Sequence, residues 1–320
     1  MTRLSGGHVK RVEIVSERLP PRLVALKAGL VARIPVDDDK KATAALLEKP
    51  LSRVVAHYFN WIDRFIAPRP RQTVLWDGIL NHSTQKVDLL EIAQICGPSE
   101  RGEDLQAYLS HRPLKCGFSV KTNGRGGIVW EDKDLALNAY GVHHLHFIPA
   151  NKSGSRKGNS SKLLYALVSR DTFTPIMVGD HKSFDDGSLF TAVASLRAEL
   201  GWALKGISPP SNQDDFTLKE NARLARGGVT TMAVVGGNVV PAANLSTAGT
   251  SVEHQQHVGR VMRAIHGWED ILDDRIRVAE AFKSASLPET PSWRWRFYYG
   301  DLLLEEKKSK SRAHILNWKR

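Results

Sequence analysis

The chain has 320 residues, enough for one large domain or two of ordinary size. With 42% hydrophobic and 25% charged residues, it has the make-up of a globular protein that can bury a sizeable core, which argues against a disordered or fibrous chain. Lysine and arginine outnumber aspartate and glutamate by 45 to 34; the net charge of +11 favours an anionic partner, of which nucleic acid is the commonest.

The two cysteines, Cys96 and Cys116, lack CxxC spacing and further partners, so neither a cysteine-built zinc site nor a disulfide framework is expected. No apolar run approaches ~18 residues and no signal-peptide core opens the sequence. A cytoplasmic protein with no membrane contact is the expectation.

In chain order, apolar residues recur at helical spacing from Ala42 to Phe65, with Asp37, Asp38 and Asp39 placed to favour the start of a helix. Pro50 should divide this run in two, and Ala67-Pro68-Arg69-Pro70-Arg71 should end it as a rigid basic linker. A further helix is predicted through Val87–Ala93, stopped at Gly97-Pro98-Ser99, with a short one over Glu103–Leu109. From Gly117 the pattern turns to strands and glycine-rich turns. Phe118–Thr122 and Ile128–Trp130 predict a hairpin about Asn123–Gly127. Strands are then expected at Val142–Ile148, Leu163–Val168 and Pro175–Val178, and a helix over about Ser188–Leu204. The last third should hold a hairpin about Gly236-Gly237-Asn238 and a helix from Val252 to Leu272 capped by the loop Ser246–Ser251. These elements make an α+β protein: a helical N-terminal region (1–112), an antiparallel β-sheet core flanked by helices (113–205), and a mixed region packing on that core (206–320).

Four of the twelve histidines lie between His143 and His181. On a strand, His144 and His146 share a face, about 7 Å apart, and His143 takes the other. Imidazole moves protons near neutral pH. The basic loop that follows carries Lys152, Arg156, Lys157 and Lys162, and the later strand ends in Asp180-His181-Lys182. Such a set suits RNA cleavage without a metal or other cofactor: histidines as acid and base, cations on the charged transition state. His144, His146 and His181 are the catalytic candidates, with Lys121, Lys152, Arg156, Lys157, Lys182, Arg294 and Arg296 as substrate-binding candidates. A metal-dependent hydrolase using His144, His146, Asp180 and His181 is the alternative, although no contiguous HxHxDH signature is present. A non-catalytic binder of nucleic acid or ribosomes is a third reading.

The run Leu163–Val168, a turn, Ile176–Val178, then Gly179-Asp180-His181-Lys182-Ser183-Phe184 resembles the C-terminal half of RelE-type mRNA interferase toxins, over about 45 residues. The resemblance implies a ribonuclease core working by acid–base groups without metal, and with it a neutralising protein partner. Elsewhere, Gly124-Arg125-Gly126-Gly127 lacks the lysine and helix of a P-loop and suits a plain hairpin turn. The capping loop Ser246–Ser251 stands near His254 and His257. Trp293-Arg294-Trp295-Arg296-Phe297 either stacks on bases or forms an edge strand with its aromatics buried; the strand is favoured. Lys307–Arg312 suits a solvated tail.

Overall fold

The computed structural model describes residues 19–36, 40–122, 128–130, 134–151, 153–156, 161–209, 218–227, 229–246, 250–282 and 287–318. Asp37, Asp38, Asp39, Lys152, Lys157 and the Asn123–Gly127 turn lie outside these residues, and of Lys121 only the backbone is described. The fold is α+β, with helices first and antiparallel-rich sheets after them.

Helix α1 spans Pro21–Arg33, starting on a proline whose missing N–H costs a first turn nothing. Pro50 separates α2 (Lys40–Glu48) from α3 (Leu51–Ile62) as expected. Val54, Val55, Tyr58 and Phe59 of α3 are almost wholly buried on more than one side of the helix, which marks it as a central core element. Then follow β1 (Gln72–Thr73), α4 (Ile79–His82), α5 (Leu89–Glu100) and α6 (Arg112–Lys115). The expected stop at Gly97-Pro98-Ser99 is not where α5 ends. Pro98 lies in the final turn, and the Gln94 carbonyl it cannot serve has the Tyr108 hydroxyl at 3.5 Å. The end is set by Gly102 at φ +72°: its N–H donates to the Ser99 carbonyl, and that of Glu103 donates to Pro98, a Schellman closure. Over Glu103–Leu109 the expected short helix is one 3-10 turn, Gln106–Tyr108.

The middle of the chain holds β2 (Val120–Thr122), β3 (Ile128–Trp130), α7 (Leu135–Tyr140), β4 (Val142–His146), β5 (Leu163–Val168), β6 (Thr172–Gly179) and α8 (Ser188–Glu199). β2 and β3 pair as the expected hairpin. A four-stranded sheet runs in the order β1-β6-β5-β4, antiparallel except for β1 against β6. Pro175 has no N–H for the ladder, and at that point the β5–β6 register shifts between Tyr165 and Ala166. One face of this sheet packs under α7 and α8 through Leu163, Tyr165 and Met177. The other packs on α5 through Leu145, Leu164 and Val178.

The remainder comprises α9 (Leu218–Arg226), the hairpin β7 (Thr231–Val235) and β8 (Asn238–Ala243), α10 (Val252–Glu269), α11 (Arg275–Phe282) and strands β9 (Trp293–Tyr298), β10 (Asp301–Glu306) and β11 (Arg312–Leu316). Gly236 and Gly237 both take positive φ at the hairpin turn, and Ser251 caps α10 by accepting from the Glu253 N–H. β9 is an edge strand of a sheet ordered β11-β10-β9, with Trp293, Trp295 and Phe297 buried and Arg294 and Arg296 on the opposite face. Lys307–Ser311 is the β10–β11 turn, with Arg312 opening β11, and the run is not a loose tail; Glu306 accepts N–H bonds from Lys308 and Ser309. The largest core joins α1–α3 to α10, α11 and this last sheet. Among the described residues no helix is long and apolar enough to cross a membrane.

Candidate functional site

Strand alternation puts His144 and His146 on one face of β4, paired across to Tyr165 and Leu163 of β5. His143, on the other face, is buried and lines a small cavity shared with Arg170 and Asp301. Leu163 in turn pairs with Gly179 of β6, so the chain leaves β6 level with His146 and reaches His181 two residues later. Gly179 fits because a Cβ there would stand 2.4 Å from the Ser183 hydroxyl.

That hydroxyl accepts the Asp180 N–H at 3.1 Å, while the Asp180 carboxylate accepts the Lys182 N–H at 2.8 Å and its carbonyl accepts the Ser183 N–H at 3.1 Å. Tyr165 locks the turn by donating its phenol to the Asp180 carbonyl at 2.8 Å. The turn therefore delivers His181 back over β5 toward β4. Asp180 spends its carboxylate on the turn and does not join the histidines.

The three rings form a near-regular triangle, with centroids 6.2 Å apart for His144–His146, 6.2 Å for His144–His181 and 5.7 Å for His146–His181. One ring nitrogen from each lies within 4.8 Å of the other two. Burial, then the charge of Arg156 and the neighbouring histidines, pulls His146 down to about 4. His181 is also lowered, by burial and then by His144, against the opposing pull of Asp180. Neutral imidazole is the favoured form at both.

Asp134 completes the set. Its Oδ1 accepts the Leu137 N–H at 3.0 Å as the N-cap of α7, and its Oδ2 stands 3.6 Å from His144 Nδ1. A helix cap thus fixes the carboxylate that faces the ring. His144 and His181 line a cleft of about 350 Å³ whose wall also carries Arg64, Arg112 and Asp185. Because β4 is an edge strand, no further strand among the described residues closes this side.

No family model, curated protein or solved structure matches the chain. The site therefore rests on its own geometry.

Of the expected residues, the fold brings His144, His146 and His181 together. Arg156 sits beside them but donates to the Ile148 carbonyl at 3.0 Å and the Leu109 carbonyl at 2.6 Å, so its guanidinium braces the loop. Lys182 is exposed next to His181. Lys162 pairs with Glu91. Arg294 and Arg296 belong to the other sheet and both pair with Glu305. Sequence reasoning missed Asp134, Arg64 and Arg112. Asp134 precedes an apolar helical run and carried a cap signal; the two arginines carried none, since only tertiary packing brings them to the cleft. His254 and His257 are core residues: His254 Nε2 is 2.8 Å from Asp63 Oδ2, and His257 Nε2 is 2.9 Å from the Gly300 carbonyl. Burial lowers His257 to about 4.

Proposed function

We propose that the protein is a metal-dependent hydrolase acting on phosphodiesters of RNA or other nucleic acid, its ion held by His144, His146 and His181. The convergence of three imidazole nitrogens within 4.8 Å at the mouth of an open cleft carries this reading. Three histidines with a fourth position left open is the pattern of catalytic zinc sites, and imidazole also suits copper, iron and nickel. Such an ion would supply a nucleophile near neutral pH by lowering the pKa of water. Asp134, 3.6 Å from His144 Nδ1, would orient that ring, as carboxylates behind metal-bound histidines do. Arg64 and Arg112 line the same cleft, alongside Asp134 and Asp185, and are the side chains there that suit a phosphate. The net charge of +11 fits a nucleic-acid substrate.

Metal-free acid–base cleavage, the mode the toxin resemblance implies, uses the same three residues and needs one protonated imidazole as acid. Burial and Arg156 work against that form at His146. The buried thiols of Cys96 and Cys116, neither of them in a disulfide, fit a cytoplasmic setting. A neutralising protein partner belongs with the toxin reading alone.

Elemental analysis and an RNA-cleavage assay on the purified full chain test the proposal. About one ion per chain is expected, lost in His146→Ala, with cleavage abolished by chelator and restored by zinc. Cleavage that persists in excess chelator selects the metal-free reading; no bound ion and no cleavage would sink both.

A further inference from the structure

A second cationic feature lies outside the histidine site. Helix α1 runs beside the edge strand β9, and between them is a groove of about 450 Å³. Five cations stand around it: Arg22 and Arg33 from α1, Arg294 and Arg296 from β9, and Lys307 from the turn after β10. Among the described residues no carboxylate lines the groove.

The acids that hold these arginines sit beneath. Glu305 is wholly buried and accepts from Arg294, from Arg296 at 3.2 Å and from Arg312 at 2.7 Å. Glu269 accepts from Arg22 at 3.1 Å and from the Trp295 indole at 2.6 Å. Arg33 donates to the Phe297 carbonyl at 3.2 Å. Five cations over two carboxylates leave an excess of three positive charges, and the four arginines are already oriented by their bonds. Oriented guanidinium forks match phosphate oxygens and lose little freedom on binding.

The floor is apolar, formed by Leu26, Leu30 and the side of Trp295. It is also roomy: a Cβ added at Gly29 would meet nothing within 4 Å. Concave apolar ground edged by arginines fits a base with its phosphates, in the manner of single-strand binding grooves. A membrane surface would be better served by a flat or convex basic face.

We infer that the groove between α1 and β9 binds a single strand of nucleic acid, phosphates on the arginine rim and a base against the apolar floor. Among the described residues none lines both this groove and the cleft beside the histidines, so the inference does not rest on the metal reading.

Fluorescence anisotropy of a labelled single-stranded oligouridylate, with the full chain in chelator and over a salt series, tests it. Removing Arg294 or Arg296 would unbalance buried Glu305 and could unfold the sheet. Gly29→Glu and Lys307→Glu instead leave every named ion pair in place. Each should weaken binding at least about tenfold and flatten the salt dependence by roughly 0.7 in log–log slope for every phosphate no longer neutralised. Lys205→Glu, at an exposed position that lines neither the groove nor the histidine cleft, should bind as the parent does. Parental affinity in both groove variants, or capture by anionic phosphatidylserine vesicles with no oligonucleotide binding, would overturn the inference.

Discussion

Asp134 divides its two oxygens between roles that a substitution can separate. Oδ1 caps α7, and Oδ2 faces His144 Nδ1 at 3.6 Å. Asparagine caps helices as well as aspartate does but brings no negative charge to the ring. Asp134→Asn should therefore melt like the parent while binding zinc about 10- to 100-fold more weakly, as seen when partners of metal-bound histidines are removed. A zinc titration against a competing chelator measures this; unchanged affinity would remove Asp134 from the site. At this scale the sequence was readable where local geometry decides: a period of two separates His143 from His144 and His146, and the fold obeys it. His181 was nameable, but its approach depends on the Asp180–Ser183 turn and the Tyr165 hydroxyl, which no spacing announces.

Among the elements, the end of α5 is decided by a glycine where a proline was the obvious choice. A side chain at Gly102 would have to adopt φ +72° and would place its Cβ 2.7 Å from Pro70 and 2.9 Å from the Arg69 carbonyl carbon. Both neighbours are tied to the backbone and cannot swing away. Gly102→Ala should cost about 2 kcal/mol or more, from the left-handed backbone and the steric clash together, read as a lower urea midpoint. Pro98→Ala should be neutral or stabilising, because it restores an N–H toward the Gln94 carbonyl. Should Pro98→Ala be the more damaging of the two, the proline would be the true stop. Helices and strands with strong periodicity, such as α3 and β9, were legible from residues alone; boundaries that hang on one bond to a distant carbonyl were not.

The whole molecule carries its acid sensitivity in buried imidazoles. His57 is lowered to about 3 by burial, then by Lys49 and Arg53, and His257 to about 4 by burial, opposed by its bond to Gly300. In the unfolded chain both would take a proton near the ordinary histidine value of 6.5. Unfolding therefore draws in protons below that pH, so their contribution is whole above about 6.5 and is lost as pH falls from 6.5 toward 4. Glu306 adds a lower window. Burial pushes its carboxyl up, but N–H bonds from Ser292, Ser309 and Lys308 outweigh that and hold it at about 2. It contributes above its usual 4.5 and fails as pH drops from there toward 2. Thermal melts from about pH 8 to about pH 3 should show midpoints level above 6.5 and declining below it; a flat profile down to pH 4 would contradict the assignment. Nothing in the spacing of α3 and α10 said that His257 would be a core residue and His57 half-buried, because it is packing between distant segments that covers them.

Helix α3 has a consequence in time as well as space. Tyr58 donates to the Tyr299 carbonyl at 3.0 Å, and Phe59 meets Phe297 edge to face and stacks on Trp318. During synthesis Tyr58 leaves the ribosome 241 residues ahead of Tyr299. The apolar surface of the helix must stay shielded through most of translation, so ribosomes stalled before β9 should display a chaperone-binding nascent chain that completed chains do not.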